Sequence, residues 1–222
     1  MDDDRTRADL ATIYPQFGLR IAHAGLVLLP PTDPDLLELA DVVAEPGAVL
    51  GPDQEGFLRW DPGTGDDAVD AFLHHFWDLR RRPGPDAWRA AFVVLAEGRA
   101  VGMTEMGASR WSADRTVGTG SWLARAEQGR GVGTRVRLML LELAFAHLGA
   151  DRATSVAHEG NAASRRVSTR CGYRETGRGT DPRGAPEVHL AVTPRAWRRR
   201  RLADVVVDGV DELRAALDPG AR

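Results

Sequence analysis

Apolar positions fall into two regimes along the chain. Before about residue 82 they recur mainly at helical spacing; after about residue 90 they gather into short runs of strand length. Leu26-Val27-Leu28-Leu29 is stopped by Pro30-Pro31 and reads as a strand. Asp33-Pro34 then opens a helix, with aspartate as N-cap and proline in the first turn, and Leu36, Leu37, Ala40 and Val43 keep its spacing. Residues 46–66, rich in Gly, Pro and Asp, form a loop. A second helix covers 67–81, with Val69, Phe72, Leu73, Phe76 and Leu79 inward. Strands follow at 90–96 and 100–108, joined by a tight turn at Glu97-Gly98-Arg99, and a third runs over 116–124. A strong helix spans 131–148 and ends at Gly149. A strand at 152–157, a helix at 162–171 closed by Gly172, and strands at 173–176 and 187–192 complete the pattern. A βαβ crossover within otherwise antiparallel strands describes an α+β fold with one parallel pair inside the sheet.

Composition narrows the chemistry. The chain has 222 residues, 43% of them hydrophobic, enough for one domain with a substantial core. We expect a lead over residues 1–20, acidic and partly mobile through about residue 18, a main domain over 21–193 and a C-terminal extension over 194–222. No apolar run approaches the roughly 18 residues of a membrane span, and the acidic start Met1-Asp2-Asp3-Asp4 lacks the basic opening of a signal peptide. One cysteine, Cys171, excludes an internal disulfide, so a reducing cytoplasm is expected. Net charge is −3, which favours neither nucleic acid nor a membrane surface as partner. All 29 basic residues are arginine. A Schiff-base mechanism and a Walker-type phosphate loop both need lysine and are excluded.

The candidate chemistry centres on Gln128-Gly129-Arg130-Gly131-Val132-Gly133-Thr134, between a strand and the strong helix. Alternating glycines let the backbone approach a ligand, the helix start offers unpaired N–H groups, and Arg130 adds charge: an anion site suited to a pyrophosphate. The dinucleotide pattern G-x-G-x-x-G is not met, and the acidic residue expected about 20 positions later is missing. The helix behind is apolar on nearly all sides, interrupted by Arg135, Arg137, Glu142 and His147, so it is covered on both sides. In the preceding strand, Gly118 and Gly120 mark a bulge or a close ligand approach. Asn161, Ser164 and Ser168 share one face of the 162–171 helix, whose N-terminal end faces the same sheet edge as the glycine turn; Asn161 is equally a natural N-cap.

Gly120-Ser121-Trp122-Leu123, Gln128-x-x-Gly131-x-Gly133, Asn161-x-x-Ser164 and Cys171-Gly172-Tyr173, in this order and spacing, resemble the GNAT acyltransferase superfamily, and within it the ribosomal-protein N-acetyltransferase type. The likeness is specific over 116–178, plausible from about 24 to 193, and does not reach 194–222. It implies the GNAT fold, a mostly antiparallel sheet with a splayed parallel pair and flanking helices. It implies acetyl-CoA or another acyl-CoA as donor, succinyl-CoA included, and no metal. The pyrophosphate would lie on the backbone of Arg130, Gly131, Val132, Gly133 and Thr134, pantetheine along Trp122, Leu123 and Ala124, and Asn161 and Ser164 beside the donor. Family members often carry, where Ser168 stands here, a tyrosine that protonates the leaving thiolate; serine is a poorer acid. The acceptor is expected to be a small-molecule amine or a protein N-terminal amine.

A neutral amine needs a base. Glu105, on the strand beside Trp122, is the first candidate; His158 and Glu159 follow, then Glu187, with Asp114 and Glu127 as loop surface. A module that binds acyl-CoA without turnover stays open at this point. Trp60, Trp77, Trp88 and Trp111 read as packing, with Trp60 and Trp111 placed in loops near an acceptor pocket. Residues 195–201, with five arginines, read as a solvated helix face, and 204–208 as an extra edge strand suited to a homodimer contact. Cys171 reads as core.

Overall fold

The computed structural model describes residues 3–50, 58 and 65–218. Nine strands form one sheet in the order β7-β8-β6-β5-β4-β3-β2-β1-β9. They are β1 (Arg20–His23), β2 (Leu26–Leu29), β3 (Trp88–Ala96), β4 (Arg99–Ala108), β5 (Thr116–Leu123), β6 (Arg152–His158), β7 (Arg174–Thr180), β8 (Pro186–Val192) and β9 (Val206–Asp208). Every neighbouring pair is antiparallel except β5 and β6. That pair registers only over Thr116–Arg152, Val117–Ala153 and Gly118–Thr154, after which the strands part. The expected mixed sheet and its parallel pair are therefore present.

The helices are α1 (Asp3–Ala11), α2 (Asp33–Ala44), α3 (Asp66–Asp78), α4 (Trp111–Asp114), α5 (Val132–Glu142), α6 (Ala162–Arg170), α7 (Pro194–Arg198) and α8 (Val210–Leu217). They split the core between the two faces of the sheet. On one face α2 and α3 bury Leu36, Leu39, Phe72 and Phe76 against Val93, Met103 and Trp122. On the other, Val136, Leu140 and Leu143 pack with Phe92, Val117 and Ala153. The all-round apolar helix is buried as expected, but its last turn, Leu143–His147, is π-helical rather than α-helical.

Several expectations are corrected. Residues 3–11 form a helix that is tied down: Arg7 donates through Nε to Pro30 O at 2.9 Å and pairs with Asp35 at 2.6 Å, both side chains buried. No apolar stripe announces this helix, because its anchor is an ion pair. The N-cap of α2 is Thr32 rather than Asp33; its hydroxyl and amide both donate to Asp35. β1 and the helices α4 and α8 escape the sequence reading, and β7 runs on to Thr180. The extension packs on the main domain: β9 pairs with β1, Leu213 and Leu217 are in the core, and Arg201 pairs with buried Glu142 at 2.8 Å. Residues 195 and 198–201 are otherwise exposed, as a solvated face should be. Trp88 and Trp111 are core residues in edge contact at 5.8 Å, Trp77 is exposed, and Trp60 lies outside the described residues. No helix among the described residues is long and apolar enough to cross a membrane.

Asp35 serves both Arg7 and the start of α2. Asp35→Ala should cost about 3 kcal/mol, the scale for orphaning a buried partner. Urea denaturation checks this; a loss below about 0.5 kcal/mol, the level of a neutral surface change, contradicts the anchoring role.

Candidate active site

The parting of β5 and β6 opens a cleft of about 590 Å³. Thr119 and Thr154 hold its closed end: Thr154 Oγ1 donates to Val117 O at 3.2 Å, and Thr119 Oγ1 donates to Thr154 O at 3.0 Å. Beyond them the inner edge of β5 is free of β6. Ala124 N donates to Val101 O on β4 at 2.8 Å, and Gly120 O accepts from Thr104 Oγ1 at 2.8 Å. Strand alternation then turns the amides of Ser121 and Leu123 toward the cleft. The close approach of β4 helps fix β5: a Cβ on Gly102 would stand 2.3 Å from Trp122 O.

The glycine turn forms the cleft's open end. Gly129 and Gly131 adopt φ of +75° and +82° with open space around them, so backbone conformation, not crowding, calls for glycine. The first bond into α5 runs from Arg135 N to Gly131 O at 3.1 Å. The amides of Val132, Gly133 and Thr134 precede it and have no intrahelical carbonyl to meet. Five arginines line the cleft (Arg89, Arg110, Arg137, Arg166 and Arg170) against two carboxylates, Glu105 and Asp114, so it suits an anionic ligand. Of these arginines the sequence reading noted only Arg137, and only as a break in an apolar helix.

The sequence-derived residues divide. Trp122, Leu123, Gln128, Gly129, Gly131, Gly133, Thr134, Asn161, Ser164 and Glu105 all line the cleft. Ala124, Arg130 and Val132 do not. Val132 turns its side chain into the core, and Arg130 is exposed and pairs with Glu127 at 2.8 Å, so what they offer a ligand is backbone. Gln128 spends its amide on Val49 O and Leu123 O, at 3.0 and 2.9 Å, clamping the turn. Asn161 Oδ1 accepts from Ser164 N at 2.9 Å and so is the cap of α6. Ser168 is fully buried and off the cleft, its hydroxyl without a hydrogen-bond partner, so the acid role expected from its position is not supported by its placement.

Glu105 has a partner the sequence did not suggest. His75, on α3, meets its Oε2 through Nε2 at 3.1 Å, and both residues line the cleft. Gly120 lies opposite Glu105, and a Cβ there would be 3.1 Å from Glu105 Oε1; glycine leaves the carboxylate room to lie over β5. Of the other candidate bases, His158 lines the cleft, with Nε2 3.9 Å from Asp181. Asp181 is held below the usual carboxylate range, chiefly by the Ala185 amide. Glu159 is tied up with Arg178, and Glu187 and Glu159 stay off the cleft.

Residues 25–174 match the Acetyltransferase (GNAT) domain family. The chain belongs to the GNAT acetyltransferase family. It is an N-acyltransferase, and its reaction is acyl transfer from acyl-CoA. Mycobacterium smegmatis RimJ, solved with CoA-disulfide, is similar in fold, with a TM-score of 0.62 at 22% identity over 90% of this chain and 92% of that one. A GCN5-related N-acetyltransferase from Brucella melitensis gives a TM-score of 0.65 at 18% identity, covering 81% and 80%. A spermidine N-acetyltransferase SpeG chimera from Vibrio cholerae and hSSAT gives 0.60 at 16%, covering 80% and 100%.

Cys171 sits against this GNAT cleft without entering it. It is fully buried, donates through Sγ to Thr134 O at 3.6 Å, and burial pushes its thiol up to about 11. The native protein should therefore resist a disulfide reagent such as DTNB at pH 8 and react once unfolded, so that in assays the reagent reads released CoA alone. Rapid modification of one thiol in the folded protein would contradict this.

Proposed function

We propose that this GNAT enzyme moves a short acyl group from acyl-CoA to a primary amine by direct attack in a ternary complex. The observation that carries the reading is the pairing of a donor cleft, built by the β5–β6 splay and the 129–134 turn, with the Glu105–His75 pair at its wall. The pyrophosphate lies on the amides from Arg130 to Thr134, where the α5 start adds its partial positive charge. Pantetheine runs along Trp122, Leu123 and Ala124, with Asn161 and Ser164 beside it. Arg166 and Arg170 add charge for the donor's phosphates.

Glu105 takes the proton of the acceptor ammonium, directly or through water, and His75 fixes the carboxylate's orientation. The freed amine attacks the thioester carbonyl; a C–N bond forms, the C–S bond breaks, and the nitrogen's surplus proton passes through water to the departing sulfur. The Leu123 amide, turned into the cleft, donates to the oxyanion that develops. A thiol is a stronger acid than an alkylammonium, so the thiolate is the better leaving group of the tetrahedral intermediate and departs without a dedicated acid, which fits the placement of Ser168. A structure similar in fold, described as that of a putative ribosomal-protein-serine acetyltransferase from Vibrio cholerae, supports a protein acceptor, and the spermidine N-acetyltransferase SpeG chimera supports a small polyamine. Thiol release measured across N-terminal peptides and small amines decides between them.

Glu105→Gln should lower kcat by about 100-fold or more and leave CoA affinity within about twofold, because the residue faces the acceptor. Glu105 loses its place as base if kcat stays within about threefold, or if CoA binding falls in step. Activity lost in His158→Ala but kept in Glu105→Gln would move the base to His158.

A further inference from the structure

Four charged side chains are buried among the described residues: Arg7, Asp35, Arg137 and Glu142. Arg7 pairs with Asp35, and Glu142 pairs with Arg201. Arg137 alone has no carboxylate within ion-pair distance among the described residues, although it is only 3% exposed. Its Nη1 donates to Ser155 Oγ at 3.2 Å and its Nη2 to Ser121 Oγ at 3.3 Å, and its Cζ stands 5.7 Å from the Tyr173 ring centroid. Nε has no partner. Neither ionisable group nearby, Tyr173 or Cys171, supplies a negative charge. Burial raises the Tyr173 phenol above its ordinary value and the Cys171 thiol to about 11, so both stay neutral at physiological pH.

A buried guanidinium with only neutral, long hydrogen bonds is costly to hold, and it is the kind of group that a carboxylate satisfies in a two-pronged contact. The position of Arg137 says which ligand brings that carboxylate. Ser121 is on β5 and Ser155 on β6, so the guanidinium spans the splayed strands and lines the cleft between them. It comes from α5, whose core face holds Val117. Glu105 meets His75 of α3, on the Trp122 face. The acceptor amine is thus handled on the α3 face of the sheet, while Arg137 reaches into the splay from the α5 face, where its partner Ser121 is two residues before Leu123, whose amide is assigned to the thioester oxyanion.

We infer that Arg137 receives a carboxylate at the far end of the acyl chain, so that the enzyme prefers monoacyl-CoA thioesters of short dicarboxylic acids over acetyl-CoA. This rests on the donor site proposed above. The transferred group then carries its carboxylate to the amine: the C–N bond forms, the C–S bond breaks, the nitrogen's surplus proton passes to the departing sulfur, and CoA leaves as the thiol.

Calorimetric titration of the whole protein with CoA, butyryl-CoA and succinyl-CoA tests the inference. The two thioesters match in chain length and differ by a carboxylate in place of a methyl. Wild type should bind succinyl-CoA on the order of 10-fold more tightly than butyryl-CoA, the worth of one charge-assisted contact. Arg137→Met should shrink that preference to about twofold, read as the ratio of the two thioester affinities within the variant. Equal or better binding of butyryl-CoA by wild type overturns the inference however the variant folds, and so does a preference that survives in Arg137→Met. Failure of CoA to bind wild type overturns the donor site and this inference together, whereas CoA binding without an acyl preference overturns this inference alone.

Discussion

Two parallel strands that pair over three residues and then separate leave backbone N–H and C=O groups that something must satisfy. Much of the site answers to this constraint. On one flank β4 keeps β5 fixed, with Gly102 against the Trp122 carbonyl and the Val101 carbonyl taking the Ala124 amide. At the vertex two threonines cross-link the strands. Across the mouth Arg137 joins Ser121 to Ser155. Helix α5, buried from Val136 to Glu142, underlies the gap and delivers its N-terminal amides to the open end. A strand edge that faces a cleft pairs with an amide-bearing chain, and a helix start beside it holds phosphates. The donor chemistry thus follows from how the sheet fails to close.

The two faces of the sheet do different work. The α3 face carries the proposed base, where His75 and Glu105 meet across a helix–sheet contact. The α5 face carries the buried positive charge. Because the splay is a gap in the sheet itself, groups from both faces line one cleft. The proposed direct attack needs that: donor and acceptor must meet, yet each must be recognised by its own residues.

The sequence reading succeeded where local chemistry decides structure. Left-handed turns at Gly129 and Gly131, the Asn161 cap and the apolar helix behind them are written in neighbouring residues. It failed where the partner is distant. His75 and Glu105 are 30 positions apart and become neighbours only when α3 packs on the sheet. Helix α1 has no apolar stripe to announce it and depends on Asp35, 28 positions from Arg7. Helical spacing puts Ser168 on the face shared by Asn161 and Ser164, but α6 turns Ala163, Ser164, Val167 and Arg170 to the cleft and buries Ser168 behind them. Arg137 was visible only as an interruption. Its meaning needs the knowledge that every other buried charge among the described residues has a partner.

The central claim is that the β5–β6 splay and the glycine turn together hold the donor. Hydrogen exchange of backbone amides with and without CoA tests it most directly. The account predicts that CoA slows exchange at Ser121 and Leu123 and from Arg130 to Thr134, with β1, β2 and β9 unchanged. Protection concentrated elsewhere, with these two segments exchanging as in the free protein, would contradict it.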